Sequence, residues 1–447
     1  MKIQINRGTA RGRVCAPPSK SMAHRVLICA GLASGTSVLR GISDSEDMFA
    51  TLDCLTALGA RWQKEGETVT ITGIGGEAAV DASAAPRAAC VKRETAPSCD
   101  GARGRGEGAG DDCAAPRPEL ILRCRESGST LRFFIPICLQ TGRRARFIGA
   151  PRLMERPLDV YEKLCEARGL LFERDGQSLI VQGPLPAGDY QLRGDISSQF
   201  ISGLLFALPL CEGESRLSIL PPIESRPYID MTLAALRVFG ARAVWQDERT
   251  LCLDGGQSYR ACDACVEGDF SNAAFFGALQ AIRAENQVQI DGLPPVTDSL
   301  QADRVYAALF ARLEEPAPCI DLTDCPDLGP VLFAAAAGKG GARFIGTKRL
   351  KIKESDRGAA MAEELRKFGV NVMVREDEIT VMPSAGGLLA PIVPLSGHND
   401  HRIVMSLAVL LTLTGGVIEG AEAVNKSFPD FFDKLQDLGI EVKKIED

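Results

Sequence analysis

Seven short stretches concentrate the side chains able to hold an anion. The first, SKSMAHR at 19–25, follows two prolines and sets Ser21 and Arg25 four residues apart, which puts them on one helix face. Ser19 predicts an N-cap, with a helix through KSMAHRVLICAGLA. Lys20 then falls in the first turn, where the helix dipole favours negative charge and a bare ammonium is badly placed. An anion between lysine and helix end resolves the conflict, so the stretch reads as a carboxylate or phosphate site. Taken alone it could equally be a solvated helix start. The other six are ESGSTLR (126–132), a small-residue turn with backbone amides to offer a phosphate, GAPRLMERP (149–157) with Arg152 and Arg156, and GDISSQF (194–200) with Ser197, Ser198 and Gln199. KIKESDR (351–357) holds Lys353, Glu354 and Arg357, NDHR (399–402) holds Arg402, and NKSFPD (425–430) holds Lys426. Each alone suits a solvated polar surface. Together, falling between regular elements, they fit one shared site on loops and helix starts.

The elements that must position them recur. An amphipathic helix, a glycine and a strand pair appear at 47–73, 157–183, 227–255 and 356–383, with a shortened copy at 431–447 and a further helix near 303–313. Apolar residues fall at helical spacing, and Gly59, Gly169, Gly240, Gly369 and Gly439 stand where a helix end needs a left-handed residue. Such self-similarity implies a structure assembled from several α/β units. The stretch 82–118 is Ala-, Gly-, Pro- and Arg-rich with almost no large apolar residue, and reads as a mobile loop. Its GRGEG has neither a strand before it nor a helix after it, which rules out a dinucleotide fingerprint, and GKGGAR at 338–343 lacks P-loop spacing.

Composition bounds the function. The net charge of −7 argues against nucleic acid as the main partner. The apolar run IVMSLAVLLTLTGGVI (403–418) is short and interrupted, so it reads as a buried helix and not a membrane span. The opening MKIQINRGTA has no apolar signal stretch, and the odd, scattered set of 15 cysteines fits free thiols in a reducing compartment. A cytoplasmic protein is expected. Cys262 and Cys265 form one CxxC without a second pair, and only His24, His398 and His401 exist, so no zinc site is expected.

Read in order, SKSMAHR, GSTLR, PRLMERP, SSQF, PPIESRPYID, GDFSNAAF, KESDR, NDHR and KSFPD resemble the 5-enolpyruvylshikimate-3-phosphate synthase (3-phosphoshikimate 1-carboxyvinyltransferase) family of enolpyruvyl transferases. The resemblance spans nearly the whole chain, with 82–118 looking like an insertion. It implies an α/β fold of two similar domains, each of three βαβαββ-type units in an inside-out barrel. One domain would be 19–267 and the other 1–18 plus 268–447, with the active site in the cleft between them. It also implies transfer of the enolpyruvyl group of phosphoenolpyruvate to the 5-hydroxyl of shikimate 3-phosphate, by addition and elimination of phosphate. No metal or organic cofactor is implied, and a monomer is expected.

By matched positions the resemblance assigns Ser21 and Arg25 to the shikimate carboxylate. Ser197, Ser198 and Ser225 go to its phosphate with Lys353, with Tyr228 nearby and Gln199 against the ring. Lys20, Gly128, Arg152, Gln199, Arg357 and Lys426 would surround the phosphate of phosphoenolpyruvate, and Arg357 and Arg402 would grip its carboxylate. Guanidinium forks suit both groups. Asp327 matches the proposed base, which is also a contact to shikimate 3-phosphate, and Glu354 or Lys20 the acid at the methylene carbon. A carboxyl donating a proton near neutrality needs a raised pKa. Three positions depart from the common pattern: Glu126 stands for Asn, Ser129 for Thr, and Arg349, a candidate contact to shikimate 3-phosphate, for Asn. Gly128 matches the small residue of glyphosate-sensitive members, so sensitivity is expected. The sister transferase acting on UDP-N-acetylglucosamine is the nearest rival, but Lys20-Ser21 stands where it has Lys-Asn. A non-catalytic anion- or RNA-binding module is a second rival, opposed by the acidic charge and the Asp327/Glu354 pair.

Overall fold

The structure is a computed structural model that describes residues 1–75, 118–384 and 386–445. The expected insertion at 82–118 lies outside the described residues except for Pro118. In chain order the first helices are α1 (Lys20–Leu32), α2 (Glu46–Leu58), α3 (Gly128–Gln140), α4 (Pro151–Glu155), α5 (Asp159–Arg168), α6 (Ser198–Ala207) and α7 (Arg226–Val238). They are followed by α8 (Phe270–Ile282), α9 (Tyr306–Arg312), α10 (Gly329–Ala337), α11 (Arg357–Lys367), α12 (His401–Thr414) and α13 (Phe431–Asp437).

The recurring stretches fold as their spacing predicts. Helices α2, α5, α7, α11 and α13 are those of the repeats: Gly59 and Gly169 cap α2 and α5, whereas Phe239, Phe368 and Leu438 cap the other three and the glycine follows, with positive φ in all five cases. A strand or strand pair follows each of them. The unit around α3 and α5 shows the pattern in full. Leu120–Arg125 pairs parallel with Ala145–Gly149 across α3, and Ser178–Gln182 and Leu171–Arg174 then add antiparallel. A parallel pair needs such a helical crossover, whereas the last two strands need only a tight turn.

Two units are completed by strands from far along the chain. Ala264–Cys265 adds parallel to Thr36–Arg40, closing the first unit. Lys2–Ile5 inserts between Gly416–Glu419 and Val442–Ile445, closing the last. The connecting segments therefore run side by side: Ser19 N–H donates to Glu267 O at 2.8 Å and Asp269 N–H to Pro17 O at 2.7 Å.

Buried apolar side chains form two clusters, one drawn from 23–266 and the other from 3–14 with 274–442. In the first, α3 packs on α6, and in the second α8, α10 and α12 pack on one another. Helix α10 (GPVLFAAAA) is buried along its whole length, as a helix apolar on every side must be. The apolar run at 403–418 is mostly α12, buried in the second core, followed by a strand. No helix among the described residues is long and apolar enough to cross a membrane.

Candidate active site

The N-terminal ends of six buried helices converge on one cavity of about 110 Å³ between the two cores. Ser19, Ser127 and Ser197 cap α1, α3 and α6, each accepting a backbone N–H of the first turn. Asp269 and Asp400 cap α8 and α12 in the same way, and a 3₁₀ turn, Pro326–Leu328, leads into α10 and carries Asp327. Helix N-termini present unpaired amides and positive dipole ends, so the arrangement favours bound anions.

On the wall from the first core, the buried arginines are held by neutral groups, and Lys20 is the cation there that meets a carboxylate. Arg25 is 3% exposed. It donates to Ser21 O at 2.5 Å, Tyr228 O at 2.8 Å and Thr232 Oγ1 at 2.9 Å, and burial lowers its pKa to about 10. Arg132 donates to Gln199 Oε1 at 2.8 Å, and Gln199 Nε2 donates to Ser129 Oγ at 2.9 Å. Arg156 approaches Arg132 over the start of α3: a Cβ at Gly128 would lie 2.5 Å from Arg156 Nη1 and 3.1 Å from Arg132 Nη1. Neither arginine has a carboxylate partner among the described residues, and the Nε of each is buried and unpartnered. Burial, then the neighbouring Arg156, lowers the Arg132 pKa to about 9. Two buried guanidinium groups without a carboxylate in contact form a ready anion pocket.

The wall from the second core is internally compensated. Asp327 accepts from Arg357 Nη1 at 2.8 Å and Arg402 Nη2 at 3.2 Å, and Lys353 Nζ lies 3.2 Å away. Burial works against its charge, but Arg402, Lys353 and Arg357 hold the carboxyl well below its usual range. Arg357 also binds Asp400 at 2.8 Å. Burial lowers Lys353 to a pKa of about 8 despite Asp327. Glu354 accepts from His401 Nδ1 at 2.9 Å. Although burial opposes its charge, His401, Lys20 and Arg357 hold Glu354 well below normal. Burial lowers His401 too, although Glu354 works to raise it, and its Nε2 is left without a partner.

The remaining sequence candidates are accounted for in turn. The ammonium of Lys20 lies 3.0 Å from Asp47. Burial pulls its pKa down, but Asp47 and Glu354 outweigh this and leave it raised. The anion demanded by a lysine in the first turn is thus, without ligand, a side chain of α2. Ser197, Ser198, Ser225 and Tyr228 line the cavity, and Ser225 Oγ accepts from Arg349 Nη1 at 2.9 Å. Arg349 also pairs with Glu224, and Ser225 N–H donates to Asp324 at 3.0 Å, so this edge joins the two cores.

Two candidates do not line the cavity. Arg152 is 52% exposed and reaches only Glu155, at 3.5 Å, while Arg156 just beyond α4 turns inward. The reading of PRLMERP thus picked the arginine that α4 points to solvent. Lys426 is buried at the rim, paired with Glu126 and donating to Asn399 O at 2.5 Å. Arg132, Arg156, His401 and Asp47 line the cavity without having been assigned. Arg132 lies four residues after Gly128, and this i,i+4 relation was the available signal.

Ligand atoms of Glu354, Asp400 and His401 lie within 4.8 Å of one another, near enough for a metal ion. Asp400 is already neutralised by Arg357, and Arg357 also lies 3.9 Å from Glu354, so a further cation there meets repulsion.

The family model for EPSP synthase (3-phosphoshikimate 1-carboxyvinyltransferase) matches residues 6–91 and 98–435, leaving 92–97 unmatched within the expected insertion. The 3-phosphoshikimate 1-carboxyvinyltransferase of Clostridium botulinum (strain Alaska E43 / Type E3) is 37% identical, with 98% of this chain and 97% of that protein covered. That of Clostridioides difficile (strain 630) is 33% identical over 98% and 97%. Among solved structures, EPSP synthase from Acinetobacter baumannii aligns with a TM-score of 0.68 at 23% identity, covering 99% of this chain and all of that one. The enolpyruvyl transferase NikO from Streptomyces tendae aligns with a TM-score of 0.70 at 15% identity, covering 99% and 98%. These last two likenesses speak for the fold.

Proposed function

The chain belongs to the EPSP synthase (3-phosphoshikimate 1-carboxyvinyltransferase) family, and from that premise we propose how its residues carry the reaction. The reaction is transfer of the enolpyruvyl group of phosphoenolpyruvate to shikimate 3-phosphate. Each substrate brings a carboxylate and a phosphate of roughly −1.5 to −2 charge. Their mutual repulsion must be cancelled before the reacting atoms can meet.

Shikimate 3-phosphate lies against the first wall, its carboxylate on Ser21 and Arg25 and its phosphate on Ser197, Ser198, Ser225 and Lys353, with Tyr228 and Arg349 beside it. Phosphoenolpyruvate takes the space toward α3. Its phosphate meets Lys20, Gly128, Gln199, Lys426 and Arg156, which replaces Arg152 in the role expected from sequence. Arg132 supports that pocket through Gln199. Its carboxylate meets Arg357 and Arg402. The observation that carries this reading is Asp327 held among Lys353, Arg357 and Arg402.

Those three cations keep the empty-site Asp327 too weakly basic to be effective. The incoming phosphate and carboxylate compete for the same cations, and each one drawn away raises the basicity of Asp327. Asp327 then takes the proton of the 5-hydroxyl as its oxygen bonds to C2 of phosphoenolpyruvate. A proton is delivered to C3, giving the tetrahedral intermediate. Elimination removes a proton from C3, breaks the bond between C2 and the phosphate oxygen and releases phosphate. Glu354 carries the C3 proton. His401, Lys20 and Arg357 ionise Glu354 in the empty site, and the same arriving anions push its pKa up. It then takes up a proton from solvent, gives it to C3 and recovers it in the elimination, while the proton held by Asp327 leaves with the phosphate. Lys20, held as a cation by two carboxylates, serves as an electrostatic contact.

The two cores act as domains that meet at this cleft, and one chain supplies the whole site, which supports a monomer. The free thiols of the described cysteines fit a cytoplasmic setting. Glyphosate is expected to compete with phosphoenolpyruvate, because Gly128 leaves space that a methyl group would take from Arg156. The decisive assay is phosphate release from phosphoenolpyruvate with shikimate 3-phosphate, with UDP-N-acetylglucosamine, or with neither. Release that requires shikimate 3-phosphate and is lost in Asp327→Ala supports the reading, and release with the nucleotide sugar overturns it.

A further inference from the structure

Glu126 directly precedes the serine that caps α3, yet its carboxylate contacts among the described residues cross to the other core. It pairs with Lys426 Nζ and accepts from Asn399 Nδ2 at 3.0 and 3.4 Å. Its neighbour Arg125 turns the opposite way, to Glu46 and to Asp53 at 2.9 Å. Backbone geometry on both sides is unusual. Arg125 has φ +49°, beside a register shift in its strand, and His398 and Asn399 have φ +46° and +51°. Non-glycine residues hold such conformations only where surrounding structure imposes them. Here they aim the Glu126 carboxylate from one side and the Asn399 carbonyl from the other at one buried ammonium, while the Asn399 side-chain amide donates to Glu126.

The cleft must open, because about 110 Å³ is well below the roughly 300–1,000 Å³ of pockets that enclose small ligands. We propose that Glu126 is an internal competitor of phosphoenolpyruvate, its carboxylate occupying Lys426 until the substrate's phosphate displaces it. Residue 126 thereby sets the affinity for that substrate. The inference rests on Lys426 binding phosphoenolpyruvate. Substrate affinity is the phosphate–lysine interaction less the carboxylate–lysine interaction it replaces, so removing the charge at 126 tightens binding.

The test is a double-mutant cycle of Glu126→Gln and Lys426→Met, with Glu126→Ala beside them, measuring KM for each substrate at saturation of the other. Circular dichroism and thermal melts verify that each variant is folded. Glu126→Gln and Glu126→Ala are expected to lower KM for phosphoenolpyruvate by about three- to tenfold, the range for a partly exposed ion pair at a binding site. KM for shikimate 3-phosphate should stay within about twofold, since Glu126 lies away from that substrate's contacts. Including Ala rules out a new hydrogen bond from Gln as the cause. In the Lys426→Met background the gain should vanish. An unchanged or higher KM in the Glu126 variants overturns the proposal, and so does a gain that persists without Lys426, which would mean simple repulsion of the substrate. If Lys426→Met alone leaves KM for phosphoenolpyruvate unaltered, the assignment of Lys426 falls and the inference with it. If Lys426→Met weakens binding but the Glu126 variants do not strengthen it, only the inference falls.

Discussion

The two walls of the cavity solve the same problem with opposite chemistry. On the first, the helix caps are serines and the buried arginines rest on carbonyl, hydroxyl and amide oxygens. On the second, two caps are aspartates and the cations are matched by Asp327, Glu354 and Asp400. A neutral cap leaves the positive ends of α3 and α6 open to an external anion, whereas a charged cap consumes the end it covers, and at α1 the Asp269 carboxylate also accepts the Lys20 N–H at 3.0 Å. The first wall is therefore built to bind. The second stores charge in pairs that a substrate can rearrange, which is what moving protons requires.

Removing a carboxylate from the second wall should break this contrast most severely. Asp327→Asn keeps the shape and loses the base, so kcat is expected to fall by about 10²–10⁴ while KM for shikimate 3-phosphate changes far less. Steady-state rates for both substrates measure the split, and a kcat within tenfold of the parent would remove Asp327 from its role. On the first wall the corresponding loss is in binding. Arg156→Ala should raise KM for phosphoenolpyruvate about ten- to a hundredfold, the worth of hydrogen bonds to a charged group. A kcat defect with unaltered KM would contradict the division between the walls.

The pH dependence sharpens the contrast further. Lys353 has a pKa of about 8 in the empty site, so it is charged below that pH and loses its proton as pH rises through it. A phosphate bound there needs the charged form. KM for shikimate 3-phosphate should therefore climb above pH 8, by up to about tenfold per unit, with no such change between pH 6 and 7. Lys353→Arg should remove the inflection, because a guanidinium stays charged across that range. A profile in which the lysine and arginine forms bend alike would assign the titration to another group.

How much of this was legible in the sequence differs between the walls for a physical reason. Helix starts and repeats are local, so Ser19, the recurring glycines and α12 were readable from spacing alone. The binding wall was largely readable too, since Ser21, Arg25 and the Ser197–Gln199 run sit where helix starts put them. The pairs of the second wall join residues dozens of positions apart. His401 was visible in NDHR, but nothing local links it to Glu354, and Asp47 gives no sign that it reaches Lys20. Nor does any local pattern tie Glu126 to Lys426. The six-helix convergence is a tertiary fact, and each cap taken alone reads as an ordinary helix start.

The smallest expected effect tests a position where the structure departs from what the resemblance implies. PRLMERP offers two arginines four residues apart, which continuous helix would put on one face. The structure breaks that equivalence: α4 spans only Pro151–Glu155, and Arg156 follows it with extended backbone, φ −60° and ψ 145°. Arg152 therefore remains on the outer face with Glu155, while Arg156 turns back over Gly128. An exposed i,i+3 pair contributes roughly 0.5 kcal/mol or less. Arg152→Ala should accordingly change both KM values and kcat by less than about twofold and leave the melting temperature within a degree or two. A rise in KM for phosphoenolpyruvate approaching that of Arg156→Ala would mean that α4 unwinds when substrate binds and brings Arg152 into the site. The anion pocket would then be built partly by its ligand, and the first wall would no longer differ from the second in being ready beforehand.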